Sequence, residues 1–177
     1  KIATRRSIQD KISERVRTLV ADASQLPFNK QSFDAVSHSD LLCCLFSKLK
    51  VLTECRRITH AHGKMVFTVI SIKPGLGKLD YEKAVSNSPE FIQAAEEYSI
   101  MLRRCGWQIV DKTDLSDDYL ESCRLQIEAD DLYRDELAKL LGEKETSDRI
   151  GNWNSKLEVI GEGLVTRDLY VCSPNDS

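Results

Sequence analysis

The stretch from Thr18 to Leu42 constrains this chain more than any other. It holds two short apolar runs, Thr18–Ala21 and Phe33–Val36, with the eleven residues Asp22 to Ser32 between them. Short apolar runs stopped by turn residues suit strands buried in a parallel sheet. A chain that leaves such a strand at an acid, crosses a Pro-containing loop and enters another at Phe33-Asp34 passes the carboxyl edge of the sheet. Open α/β sheets bind their ligands at that edge, which makes Asp22 the first candidate site residue.

The rest of the chain continues the alternation. Ile8, Ile12 and Val16 lie four apart within Arg5–Arg17, and predict an amphipathic helix packed on the sheet, capped by Ser7 or Thr4. Leu42, Leu45, Leu49, Leu52 and Cys55 predict a core-facing helix over Leu41–Thr59, with Glu54 and Arg57 paired on its polar side. His60 and His62 fall in a turn before Gly63, read as the helix C-cap; two histidines without a third ligand do not make a metal site. Lys64–Ile72 is the clearest buried strand, and Lys73-Pro74-Gly75-Leu76-Gly77-Lys78 after it is a flexible connection, short of the third glycine of a phosphate loop. Ser88-Pro89 opens a helix that runs to Arg104 and stops at Gly106. A strand at Trp107–Thr113, a helix from Ser116 to Leu141 stopped by Gly142, a helix over Thr146–Ile160 and a closing strand over Leu164–Cys172 complete the order. Strands alternating with helices imply an α/β fold, a mostly parallel sheet with helices on both faces.

Composition removes several function classes. The 177 residues suit one domain, 1–177, of ordinary globular usage, and a net charge of -3 with scattered basic residues gives no footprint for nucleic acid or a membrane surface. No apolar run approaches the roughly 20 residues of a spanning helix. The six cysteines include no CxxC pair and sit among apolar residues, as reduced thiols of a cytoplasmic or otherwise intracellular protein do.

Asp22-Ala23, Leu26-Pro27-Phe28, Ser32-Phe33-Asp34-Ala35-Val36, Glu54 with Arg56 and Arg57, and Gly63 before a strand follow one another in an order that resembles the class I S-adenosylmethionine-dependent methyltransferases, in their type 11-like small-molecule branch. The resemblance covers about residues 5–71. It implies a Rossmann-like fold with an antiparallel last strand, S-adenosylmethionine as cofactor, a small-molecule methyl acceptor and a variable substrate or lid region over about 73–163. It also implies roles. The Asp22 carboxylate and the Ala23 amide recognise the adenine edge, Leu26 adds apolar contact, and Ser37 and His38 face the sulfonium. Asp40, Tyr81 and Phe91 line the acceptor site. His38, with an ordinary pKa near 6.5, is the candidate base. The structural alternatives are an Asx-turn at Asp22, a helix cap at Ser39 or Asp40, and His38 as a wall residue.

One part of the family pattern is absent. None of the 8 glycines precedes Gly63, so the glycine-rich turn that cradles the cofactor's methionine end has no counterpart before Asp22, and the chain opens at Lys1 without an initiator Met. The expectation is a fragment lacking the N-terminal part of the domain, or a protein that has lost half its cofactor site. A methyltransferase-like regulatory or interaction module is the alternative function. A nicotinamide-dependent oxidoreductase would need the same turn and a Tyr-Lys set.

Overall fold

The computed structural model describes residues 2–175. Its elements run α1 (Ile2–Gln9), β1 (Phe33–Ser39), α2 (Lys48–Ile58), β2 (Thr59–Ile72), α3 (Lys78–Ser86), α4 (Tyr98–Arg104), β3 (Trp107–Asp114), α5 (Ser116–Leu132), α6 (Arg134–Leu141), α7 (Glu143–Gly161) and β4 (Val165–Pro174). The strands form one open sheet in the order β1-β2-β4-β3. β1 and β2 are parallel, and β4 runs antiparallel to both of its neighbours. The mixed α/β sheet and its reversed last strand match the expected architecture.

The pleat sorts the side chains. Met65, Phe67 and Val69 of β2, Tyr170 and Cys172 of β4 and Trp107 of β3 are buried on one face, against Val51, Leu52 and Cys55 of α2 and Met101 and Leu102 of α4. The Trp107 indole donates to the Leu52 carbonyl at 3.0 Å, which ties β3 to α2 through a polar group that burial would otherwise leave unpaired. Each fully buried large apolar side chain contributes about 1.5–3 kcal/mol, so this face carries most of the fold's stabilisation. α5 approaches from the side of Arg167, where the Arg167 guanidinium lies 5.6 Å from the Tyr119 ring centroid.

Several elements differ from their sequence expectation. Thr18–Ala21 is not a strand: no described strand pairs with it, and Leu19 and Val20 are 61% and 101% exposed. An apolar run gains nothing from the extended form unless a neighbouring strand completes its ladder. α1 ends at Gln9 rather than Arg17, because the backbone turns left-handed at Lys11 (φ 55°), and Ile8 and Val16 stay exposed. The Leu41–Thr59 helix is a short 3-10 turn at Leu42–Cys44 followed by α2; Leu45 between them is extended.

His60, His62 and Gly63 lie inside β2 and not in a turn. The register between β1 and β2 slips there, from Phe33 opposite Thr59 to Ala35 opposite Lys64, and Gly63 fills the bulge against the Asp34 carbonyl. α3 begins where the Lys73–Lys78 connection ends, over residues for which the sequence offers no element. The Ser88–Arg104 helix is only α4; Pro89 begins a turn closed by the Ile92 amide, and the buried Lys48 ammonium takes the Phe91 carbonyl at 2.5 Å. Tertiary contacts override the helix-start signal there. The Ser116–Leu141 helix breaks at Tyr133 into α5 and α6, and Gly142, at φ 102°, ends the second.

Candidate functional site

α2 starts where β1 has ended and finishes where β2 begins, and the Asp22–Ser32 loop lies alongside it. Lys50, in the first turn of α2, is near enough to help lower the Asp22 pKa. Further along, Arg57 donates to the carbonyls of Phe28 (2.7 Å) and Leu26 (3.0 Å), and Glu54 accepts the Leu26 amide (2.7 Å). At the far end, the Gln31 and Ser32 amides donate to the Arg57 and Ile58 carbonyls. The loop therefore descends from the carboxyl edge of β1 to its start, with Asp22 at the top.

Asp22 forms an Asx-turn. Its Oδ1 accepts the Ser24 amide and hydroxyl, each at 2.8 Å, and these bonds hold its carboxyl below the usual range. Oδ2 receives no hydrogen bond from the described residues. Asp22 is exposed, with Ala23 and Leu26 half-buried behind it. The local-turn reading and the ligand reading are thus compatible, since one oxygen shapes the turn and the other faces solvent. Phe28 packs edge-on against Phe33 at 4.9 Å, which anchors the loop to β1.

β1 delivers Ser37, His38, Ser39 and then Asp40. Ser37 is exposed. The His38 ring lies 4.8 Å from Phe67, which stacks 5.1 Å from Tyr170, over which the Lys112 ammonium sits at 5.5 Å, so a row of three rings on β1, β2 and β4 ends at a lysine of β3. Neither His38 nitrogen has a hydrogen-bond partner, and burial lowers its pKa to about 4. The expected value near 6.5 is therefore corrected: at neutral pH the ring is uncharged and a weak base.

Asp40 sits in the left-handed region (φ 48°) and turns its carboxylate back toward β2 and β4. Thr68 donates to its Oδ1 at 3.0 Å, and Arg167 reaches its Oδ2 at 2.9 Å. Arg167 also donates to the Ser39 hydroxyl at 3.4 Å. The sequence reading missed Arg167, although a charged Arg167-Asp168 pair in the middle of an apolar closing strand was a usable signal.

A cavity of about 480 Å³ opens on the Tyr170 face of the sheet, lined by Ser71 and Ile72 at the end of β2, Lys73–Leu76 after it, Tyr81 of α3, the 92–99 segment, and Lys112, Asp114, Thr166, Asp168 and Tyr170 of the sheet. Of the expected acceptor residues, Tyr81 reaches it; Asp40 and Phe91 are not in its lining. Phe91 packs instead on Phe46, at 6.4 Å. Inside, Lys112 pairs with Asp168 at 3.1 Å. Burial pushes the Asp168 carboxyl up against the pull of that lysine.

Burial also raises the thiols of Cys43 and Cys172 to about 12, which leaves them inert as nucleophiles. Among the described residues no cluster of three His, Cys, Asp or Glu side chains suits a metal ion. No helix there is long and apolar enough to cross a membrane.

The chain is similar to known methyltransferases in both sequence and fold. A family described as methyltransferase domain, of type 11, matches residues 1–67. Phosphoethanolamine N-methyltransferase 3 of Arabidopsis thaliana is 20% identical over 156 residues, which is 88% of this chain and 32% of that protein. A protein from Galdieria sulphuraria named as a sarcosine dimethylglycine methyltransferase superposes with a TM-score of 0.88 at 16% identity, over 98% of this chain and 64% of its own. Phosphoethanolamine N-methyltransferase 2 of Haemonchus contortus, solved with phosphomonomethylethanolamine and S-adenosylhomocysteine, gives 0.82 at 18% identity, over 99% of this chain and 41% of its own. The chain thus spans about a third of the length of the curated relative it matches. Over residues 1–67 the sequence is similar to the methyltransferase domain of type 11, and over nearly the whole chain the fold is that of the solved methyltransferases.

Proposed function

We propose that the protein transfers a methyl group from S-adenosylmethionine to a small-molecule acceptor. The observation that carries this is the Asp22–Gln25 turn, which an internal hydrogen bond and the Glu54–Arg57 pair hold at the carboxyl edge of β1 with an ionised oxygen to spare. Asp22 accepts from the exocyclic amine of adenine, the Ala23 amide donates to the ring, and the Leu26 side chain packs on its face. The fit is to the adenine end of the cofactor; this chain offers no glycine-rich turn before Gly63 for the methionine end.

The bound cofactor would supply an electrophilic methyl group. The chain's share of the work is alignment and exclusion of water, worth more in such a displacement than proton transfer. Ser37 and His38 border the reacting centre in this reading, and a neutral His38 acts there as an oriented wall. It is too weak a base at about 4 to remove a proton from a hydroxyl. An amine acceptor, which attacks through its own lone pair, suits such a site. Tyr81 and the cavity beneath the 92–99 segment form the acceptor pocket, and Asp40 borders its approach. Amine acceptors also match the relatives named for phosphoethanolamine and for sarcosine and dimethylglycine.

Calorimetric titration of S-adenosylhomocysteine tests the reading. The expected result is saturable binding that Asp22→Ala weakens by roughly ten-fold or more while the unfolding midpoint stays put, as for loss of one polar contact at an exposed site. Binding unaffected by the substitution removes the adenine assignment. Absence of binding to the unsubstituted chain removes the cofactor from it and leaves the regulatory module.

A further inference from the structure

We propose that α6 is a dimerisation helix whose partner is α6 of a second copy of this chain, packed antiparallel across a twofold axis. The inference stands apart from the methyl-transfer reading.

α6 has no buried residue. It packs on α7, and within it only Leu137 and Ala138 are half-buried. The rest of its apolar side is bare. Leu132 is 75% exposed and Leu140 83%, and Tyr133 and Leu141 are exposed with them. The Tyr133 carbonyl accepts the Leu137 amide, which carries the helical path back through that residue. Tyr133, Leu137, Leu140 and Leu141 therefore follow the i, i+4, i+7, i+8 spacing of one helix face. Such a face is normally turned to a core. Left in solvent and rimmed by charge, it marks a contact surface.

The rim identifies the contact. Arg134 is held by Asp131 at 2.8 Å. Glu136 and Lys139, both exposed, lie three apart on one flank of the stripe, and among the described residues neither forms an ion pair. When two copies of a helix pack antiparallel about a twofold axis, each flank meets the same flank of its partner in reverse order. An axis passing between Leu137 and Ala138 sets Glu136 of each copy against Lys139 of the other, with Leu137 and Leu140 of both copies at the seam. This flank is thus complementary to itself. A lipid surface suits the face less well, because Asp135 and Glu136 balance Arg134 and Lys139 and nothing draws the helix to anionic headgroups.

The test is analytical ultracentrifugation of the full chain across a dilution series. The expected result is a reversible monomer–dimer equilibrium. Leu140→Glu should weaken it at least ~10-fold with the unfolding midpoint unchanged, since that side chain is exposed. Lys139→Glu and Glu136→Lys should each weaken self-association ~10-fold or more, because both contacts across the axis turn repulsive at once. Mixed with each other, these two variants should pair about as tightly as the parent, since every contact again sets a lysine against a glutamate. The double variant Glu136→Lys, Lys139→Glu should recover in the same way. A chain that stays monomeric at every concentration overturns the inference. A dimer indifferent to Leu140→Glu also overturns it and places the contact elsewhere, as on the open edge of β1. A mixture of the two charge variants that fails to pair overturns the antiparallel arrangement.

Discussion

Arg57 and Glu54 act as one clamp on the loop that leads into β1. Arg57 Nη2 bonds Glu54 Oε1 at 2.6 Å and the Leu26 carbonyl at 3.0 Å, Nη1 bonds the Phe28 carbonyl at 2.7 Å, and Glu54 Oε1 accepts the Leu26 amide at 2.7 Å. Lysine keeps the charge but cannot make the planar fork that serves Glu54 and two carbonyls at once. Arg57→Lys is therefore expected to speed hydrogen exchange of the Leu26 amide and weaken S-adenosylhomocysteine binding, with the fold intact. Unchanged exchange at Leu26 would show that the loop holds itself.

Gly63 is required by space and not by backbone torsion. A Cβ placed there would lie 2.6 Å from Thr59 Cγ2 and 2.8 Å from the Asp34 carbonyl oxygen. The oxygen belongs to the neighbouring strand and cannot swing aside. Gly63→Ala should cost about 1–3 kcal/mol, the usual range for overpacking a closed site. Urea unfolding would read it as a lowered midpoint with an unchanged slope; a shift below a few tenths of a kcal/mol would mean that the bulge yields.

These residues also mark what the sequence could disclose. β2, β3 and β4 were legible because continuous apolar runs bounded by turn residues leave few other solutions, and the pairing of Glu54 with Arg57 followed from helical spacing. That the pair clamps a loop 28 residues upstream was not legible, since spacing reports neighbours along an element and nothing across it. Ser88-Pro89 illustrates the converse: a sound local helix signal lost to the Lys48–Phe91 contact. Thr18–Ala21 read as a strand because its composition was right, but a strand is defined by partners that composition does not contain. Asp22 was placed at the sheet edge by topology alone, whereas the cavity and the contacts of Arg167 arise only when β4 inserts between β2 and β3.

The Asp40–Arg167 pair joins the end of β1 to β4 across 127 residues of sequence. Asp40 is held left-handed there, a conformation that non-glycine residues adopt only where the surroundings over-determine it. Arg167→Ala removes the ion pair and the bond to Ser39, and strands a carboxylate whose side chain is only 28% exposed. The expected cost is about 1–3 kcal/mol in unfolding free energy. If Asp40 borders the acceptor approach, the apparent KM for the acceptor should rise as well. Asp40→Asn in the same background should recover part of the stability, because the stranded charge is gone; no recovery would place the loss in the packing of Arg167 on Tyr119.

His38 gives the fold a definite acid limb. Burial holds its folded pKa at about 4, against 6.5 for the free side chain, taken as the unfolded value. Between these values the unfolded chain binds more protons, so stability rises with pH. The contribution is complete above pH 6.5 and is lost progressively as pH falls toward 4. With 1.36 kcal/mol for each pKa unit, and a discount for partial exposure, the loss amounts to about 2–3 kcal/mol. His38→Phe keeps an aromatic ring against Phe67 and removes the titration. Urea unfolding of both proteins at intervals from pH 7 to 4 should give a difference curve that bends only within this window. A difference curve that stays flat from pH 7 to 4 would mean that the histidine titrates in the folded chain as it does in water. The same low pKa predicts a methyl-transfer rate without a His38 limb between pH 5 and 8, so an acid limb near 6.5 that vanishes in His38→Phe would restore the ring as a working base.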